Sequence, residues 1–187
     1  KWLKQKEEVW IDVFKSVSID WIMKIVRSDL LSLGIIHDVF SSEREISEGG
    51  VVDEVLNVLI KADLIYTGVL AAPKGKTPEG WEPRPQTLFR SSMFGDDVDR
   101  AIKKSDGSYT YFANDIGYHF DKYRRGFKLM INVFGADHGG YIKRMKAAIA
   151  AVSIGNAELN IKLCQMVHLK SGGKSIRMSK RAGNFVT

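Results

Sequence analysis

The feature that most restricts the fold is the order of apolar patterns after Ser108. Residues 108–113 (SYTYFA) read as a strand and 114–126 (NDIGYHFDKYRRG) as a helix closed by Gly126. Residues 129–136 (LMINVFGA) read as a strand, 140–152 (GYIKRMKAAIAAV) as a helix and 159–170 (LNIKLCQMVHLK) as a strand. Successive strands that run in one direction need a long crossover, and helices of this length provide it. The alternation predicts a parallel sheet with helices on its faces, a Rossmann-like half. SGGK at 171–174 predicts a hairpin turn.

Upstream the pattern differs. Trp10, Val13, Phe14, Val17, Trp21, Ile25, Leu30 and Leu33 recur at helical spacing, and Gly34 is placed to stop the helix. IIHDVF (35–40) reads as a strand. Ser42 with Glu45 three residues on resembles a capping box, although Gly49-Gly50 leaves room for only a short helix. VVDEVLNVLIKADL (51–64) is a helix pattern and LIYTGVL (64–70) a strand pattern. All four prolines (Pro73, Pro78, Pro83, Pro85) fall within residues 72–90, which reads as an irregular excursion.

With 187 residues, 44% of them hydrophobic, the chain can bury one sizeable core. Lys and Arg outnumber Asp and Glu by 28 to 22, and the net charge of +6 favours polyanionic partners. The single cysteine, Cys164, reads as a buried thiol, and no Cys/His spacing suits a metal. No apolar run is long enough to span a membrane, and a cytoplasmic location is expected.

Three stretches carry chemistry. In VFGADHGGY (133–141), Gly135 would let a ligand approach the backbone at the end of a strand. Asp137 could accept from ribose hydroxyls, and His138 offers a polar contact; the alternative is that Asp137 caps the next helix. In the second stretch Tyr111 leaves a strand and Asp115 opens a helix. A carboxylate beside a phenol suits a guanidinium, unless Asn114 or Asp115 is only a cap. In the third, Arg177, Met178, Ser179 and Lys180 precede Gly183 on a basic turn that could close over a triphosphate or simply be solvated. His37, His119 and His168 show no ligand spacing.

The order of these stretches resembles a class I aminoacyl-tRNA synthetase, specifically a bacterial-type arginyl-tRNA synthetase. MSKRAGNFVT is similar to that family's KMSKS loop, with Arg177 in the first-lysine place and Lys180 in the second. GADHGGYIKRMKAA, FGDDVDR, KKSDGSYTYFANDIGYH and LGIIHDVFSSE are also typical of it. The resemblance implies that arginine attacks the α-phosphorus of ATP, supplied with Mg2+, and that the arginyl group then passes to tRNA(Arg). It assigns Lys180, Ser179, Met178 and Arg177 to the catalytic loop. It assigns Tyr111, Asp115 and His138 to arginine, and Gly135, Asp137 and the backbone of Gln165, Met166 and Val167 to ATP. No tightly bound cofactor, metal site or membrane is implied, and the full-length enzyme is expected to be a monomer.

The fold so implied is α/β: the second half of a class I Rossmann-like nucleotide-binding fold, preceded by a helical segment and an irregular insertion. The expected divisions are 1–44, helical segment and strand from the first part of the catalytic domain; 45–107, a connective insertion; and 108–187, the second Rossmann-like half ending in the loop. The family's His-x-Gly-His motif is absent, so the chain is expected to begin downstream of it, to end before an anticodon-binding domain, and not to aminoacylate alone. Two alternatives remain: a glutamyl, cysteinyl or class I lysyl enzyme, and a non-catalytic RNA-binding or interaction module on the same half-fold.

Overall fold

The computed structural model describes residues 5–71 and 84–175, and the chain divides into two compact units, Lys1–Ser41 and Ser42–Thr187. The first contains helix α1, Glu7–Ser32. Its end is a Schellman turn: Gly34 adopts φ +73°, its N–H donates to the Leu31 carbonyl and the Ile35 N–H to that of Leu30. The strand expected at 35–40 does not form. Ile35, Ile36 and Val39 lie exposed, with no strand beside them among the described residues to accept a ladder of hydrogen bonds. The segment is instead tied to α1 by the Arg27 guanidinium, 4.1 Å over the Phe40 ring.

The second unit opens with α2, Glu43–Glu48, where Ser42 Oγ accepts from the Glu45 N–H as the capping pattern predicted. Gly49 and Gly50 end it, and α3 follows as Val51–Lys61. Val52, Val55, Leu56 and Leu59 are buried at i, i+3, i+4 and i+7, one continuous face. Strands β1 (Ile65–Gly68), β2 (Gln86–Phe89) and β3 (Arg100–Lys103) form an antiparallel sheet in that order, Ile65 opposite Phe89 and Phe89 opposite Arg100. The irregular reading of 72–90 is therefore wrong at its end, because β2 is the central strand and Leu88 and Phe89 are buried in it. Residues 72–83, with Pro73, Pro78 and Pro83, lie outside the described residues.

Helix α4 is Tyr111–Arg124. The strand expected at 108–113 is absent; only a single bridge joins Tyr109 to Lys103. Thr110 starts the helix earlier than its sequence suggests, since its Oγ1 accepts from the Ala113 N–H. Strand β4 (Leu129–Gly135), a 3-10 turn (Ala136–Tyr141), helix α5 (Ile142–Val152) and strand β5 (Glu158–Cys164) complete a βαβ unit. Here the parallel pairing expected from the sequence is found, from Leu129 opposite Glu158 to Gly135 opposite Cys164. Strand β5 is shorter than expected, and residues 165–169 are irregular. The hairpin at 171–174 forms between β6 (Lys170–Ser171) and β7 (Lys174–Ser175), with Gly172 and Gly173 both at positive φ.

The core lies where α3, α4 and α5 pack with the inner face of β4 and β5. Val52, Leu59, Phe89, Ile102, Ile116, Met145 and Ile149 are at most 1% exposed. Each such side chain contributes about 1.5–3 kcal/mol relative to exposure. Gly117 lets α4 pack closely on α2 and α3, since a Cβ there would lie 3.0 Å from Val52 Cγ2 and 3.3 Å from Ile46 Cγ2. The opposite face of β4 carries Leu129, Ile131 and Val133 in the open. Cys164, at the end of β5, is exposed rather than buried, because alternation along the strand and its terminal place put it beyond the helices. The described residues contain no helix long and apolar enough to cross a membrane.

Candidate active site at the ends of the parallel strands

Strands β4 and β5 end level, at Gly135 and Cys164. Beyond Gly135 the chain enters the 3-10 turn with ADHGGY, whose two adjacent glycines delay the α-helix until Ile142. A Cβ on Gly135 would lie 2.5 Å from Asp137 Oδ1, so the glycine lets the Asp137 carboxylate fold back over the strand end. Asp137 does not cap a helix: neither the 3-10 turn nor α5 has a side-chain cap. Its carboxylate is 79% exposed, with His138 Nε2 3.8 Å from Oδ2. The His138 ring lies 5.8 Å from that of Phe134. Gln165, Met166 and Val167 leave the end of β5 directly, all exposed.

Tyr111 and Asp115 do not straddle a strand-to-helix turn. Both lie on α4, four residues apart, and therefore share one helical face. Thr110 is the cap, so neither Asn114 nor Asp115 serves that purpose. Tyr111 is exposed, while Asp115 is half-buried and its Oδ2 accepts the Tyr141 O–H. Because Tyr141 ends the turn that carries Asp137 and His138, this bond brings the α4 pair to the strand ends. Burial first, then the hydrogen bond to Asp115, pushes the Tyr141 phenol well above its usual range.

A second contact fixes the same corner from inside. His119, one turn after Asp115, is 3% exposed. Its Nδ1 is 2.7 Å from the Asp115 carbonyl and its Nε2 is 2.7 Å from Asn132 Nδ2 on β4. An acceptor at one nitrogen and a donor at the other require the neutral ring with the proton on Nδ1. Burial, the largest influence, lowers the His119 pKa and agrees with that neutral form. His119 shows no ligand spacing in the sequence, and no motif there singles out Tyr141 or Asn132. The signals were the i, i+4 spacing of Asp115 and His119 and a polar residue at an inward strand position.

Behind this corner Asp96 is 7% exposed and takes two bonds from Arg100, Nε to Oδ2 at 2.6 Å and an Nη to Oδ1 at 2.7 Å. Burial alone would raise the Asp96 carboxyl, but Arg100, the Asp97 N–H and the Ser91 hydroxyl together hold it below the ordinary carboxylate range. Lys143 on α5 pairs with Asp97 at 2.6 Å. The candidates Arg177, Met178, Ser179 and Lys180 lie outside the described residues.

No family model matches the chain. Over all of its length it is 55% identical to the arginine–tRNA ligase of Rhodospirillum rubrum, of which it aligns with 32%. Over 98% of its length it is 55% identical to that of Ruegeria pomeroyi, again covering 32%. A solved structure described as an arginyl-tRNA synthetase from Campylobacter jejuni superposes with a TM-score of 0.74 at 35% identity, covering 96% of this chain and 35% of that one. The chain spans about a third of the length of the curated relatives it matches.

Proposed function

We propose that this chain, homologous along its whole length to about a third of an arginine–tRNA ligase, supplies the part of that enzyme that recognises arginine and closes on ATP. The observation that carries the reading is the Tyr111/Asp115 face of α4, held by Tyr141 at the ends of a parallel strand pair, in a chain with these relatives. Ligands of open parallel sheets gather at that edge. The parallel β4–α5–β5 unit supports assignment to the second half of a Rossmann-like domain, residues 108–187. Residues 45–107 are then a connective insertion, and 1–44 belong to the first part of the catalytic domain.

In this reading the Asp115 carboxylate takes the substrate guanidinium, a planar fork that matches two carboxylate oxygens, with the Tyr111 phenol beside it. His138 lies near the amino-acid portion of the substrate. Gly135 admits the nucleotide to the strand end, Asp137 accepts from its ribose hydroxyls, and the backbone of Gln165, Met166 and Val167 borders the adenine. The arginine carboxylate attacks the α-phosphorus of Mg-ATP, forming arginyl-adenylate and releasing pyrophosphate. Lys180, with Arg177, Met178 and Ser179 shaping the loop, stabilises the charge that builds on the leaving group. The arginyl group then passes to the terminal ribose of tRNA(Arg), in the cytoplasm and in a monomeric enzyme.

The test uses a chimaera in which residues 1–187 replace the matching third of the Rhodospirillum rubrum ligase. Asp115→Asn should weaken arginine binding by about 1–3 kcal/mol, the scale of a lost charged hydrogen bond. An unchanged KM and kcat for arginine would remove Asp115 from the site.

A further inference from the structure

We infer that Tyr141 is a positioning residue for arginine recognition: its hydroxyl holds the Asp115 carboxylate in the orientation that the substrate guanidinium meets. The inference rests on the reading of Asp115 given above and assigns its hydrogen-bond partner a role in recognising the substrate.

A helix fixes where the Cβ of Asp115 sits, but not how its carboxylate is turned, because the terminal torsion of an aspartate is broad and roughly two-fold. Bidentate recognition of a guanidinium requires the carboxylate plane to align with the fork. Tyr141 selects one orientation by donating to Oδ2 from outside α4. Oδ1 has no partner among the described residues, and Oδ2 retains a second lone pair, so both oxygens remain available to the two arms of the fork. A carboxylate that is already oriented loses less freedom when the substrate arrives.

The phenol can perform this role because its ring is held independently of its hydroxyl. It meets Phe112 edge-on, with centroids 6.1 Å apart and planes at 85°, and the Arg144 guanidinium carbon lies 4.9 Å over it. Phe112 is 5% exposed, so one wall of this packing is core. Burial and the bond to Asp115 raise the pKa of the phenol, which keeps its proton in place near neutral pH. Removing only the hydroxyl leaves the ring contacts, and with them the turn that carries Asp137 and His138.

Tyr141→Phe in the chimaera separates orientation from packing. Arginine-dependent ATP–pyrophosphate exchange, with tRNA(Arg) present, should show KM for arginine raised about tenfold, the equivalent of one lost oriented contact. The kcat and the KM for ATP should stay within about twofold, because the altered group meets only the guanidinium partner. Arginine binding measured by calorimetry should weaken in the same proportion. In an Asp115→Asn background the same change should add nothing, since the two residues act as one unit. An unchanged arginine KM alongside an impaired Asp115→Asn variant overturns the inference and leaves the reading of Asp115 standing. Equal losses for ATP and arginine, or effects that add in the double variant, also overturn it, since they mark a structural role. A harmless Asp115→Asn overturns the underlying reading first.

Discussion

Asn132→Leu tests how the candidate site is held from within. The substitution keeps the heavy-atom count and the branching at Cγ but removes the Nδ2 donor that meets His119 Nε2 at 2.7 Å. His119 cannot repair the loss by shifting its proton. If the proton stays on Nδ1, Nε2 is a buried acceptor with no donor. If it moves to Nε2, the bond to the Asp115 carbonyl at 2.7 Å is lost and a buried N–H has no acceptor. Both ring and amide are almost fully buried, at 3% and 8% exposure, so water does not compensate. An unsatisfied buried group of this kind costs about 1–3 kcal/mol. The strain falls on the contact between α4 and β4, and it should appear there as easier local opening rather than as global unfolding. Hydrogen exchange in the chimaera, followed at Tyr118–Phe120 and Ile131–Val133, should accelerate roughly 5- to 150-fold, the same free energy expressed as a rate. Opening should also depend on pH. His119 has a folded pKa below its ordinary 6.5, so the opened state takes up a proton first. Protection, corrected for intrinsic exchange, is then full above 6.5, declines as pH falls through it and levels off below the folded value. His119→Phe should abolish this slope. Exchange unchanged within about twofold in Asn132→Leu would refute the reasoning, since it would mean that the amide is not the partner of the ring.

Two further outcomes follow from the same physical arguments. Asp96→Asn should destabilise the unit by about 1–3 kcal/mol, because it removes the buried carboxylate that the partly exposed Arg100 guanidinium bonds. Since Asp96 is held below its ordinary 3.8, its contribution is complete above that value and is lost as pH falls through the folded value. Acid melts of the wild type should show that loss and those of the variant should not. Gly135→Ala should move the exposed Asp137 carboxylate rather than the backbone, because the added Cβ would meet Oδ1 at 2.5 Å. In the chimaera, on the proposed reading of Asp137, the KM for ATP should rise several-fold with the thermal midpoint unchanged; an unaltered KM would separate Asp137 from the nucleotide.

The sequence determined the elements whose patterns are local. The buried face of α3 is legible as Val52, Val55, Leu56 and Leu59, the Schellman stop as Gly34, the short α2 as Ser42 followed by Gly49-Gly50, and the βαβ crossover as two apolar runs around a helix. Periodicity and capping chemistry depend only on neighbours in the chain, so they survive without the fold. The tertiary structure decided whatever needed a distant partner. IIHDVF has strand composition but no strand beside it among the described residues, whereas TLF sits between two partners and is the middle of a sheet despite the prolines before it. SYTYFA has the same apolar alternation, but Thr110 caps a helix there once β3 offers the Ala101 carbonyl to its hydroxyl at 3.0 Å. The candidate site divides in the same way. Tyr111, Asp115, Gly135, Asp137 and His138 were legible as residue types in order. The bond from Tyr141 to Asp115 spans 26 positions and the link from His119 to Asn132 spans 13. Spacing along the chain can mark single members of such contacts but does not pair them, because the pairs exist only after helix, turn and strand have packed.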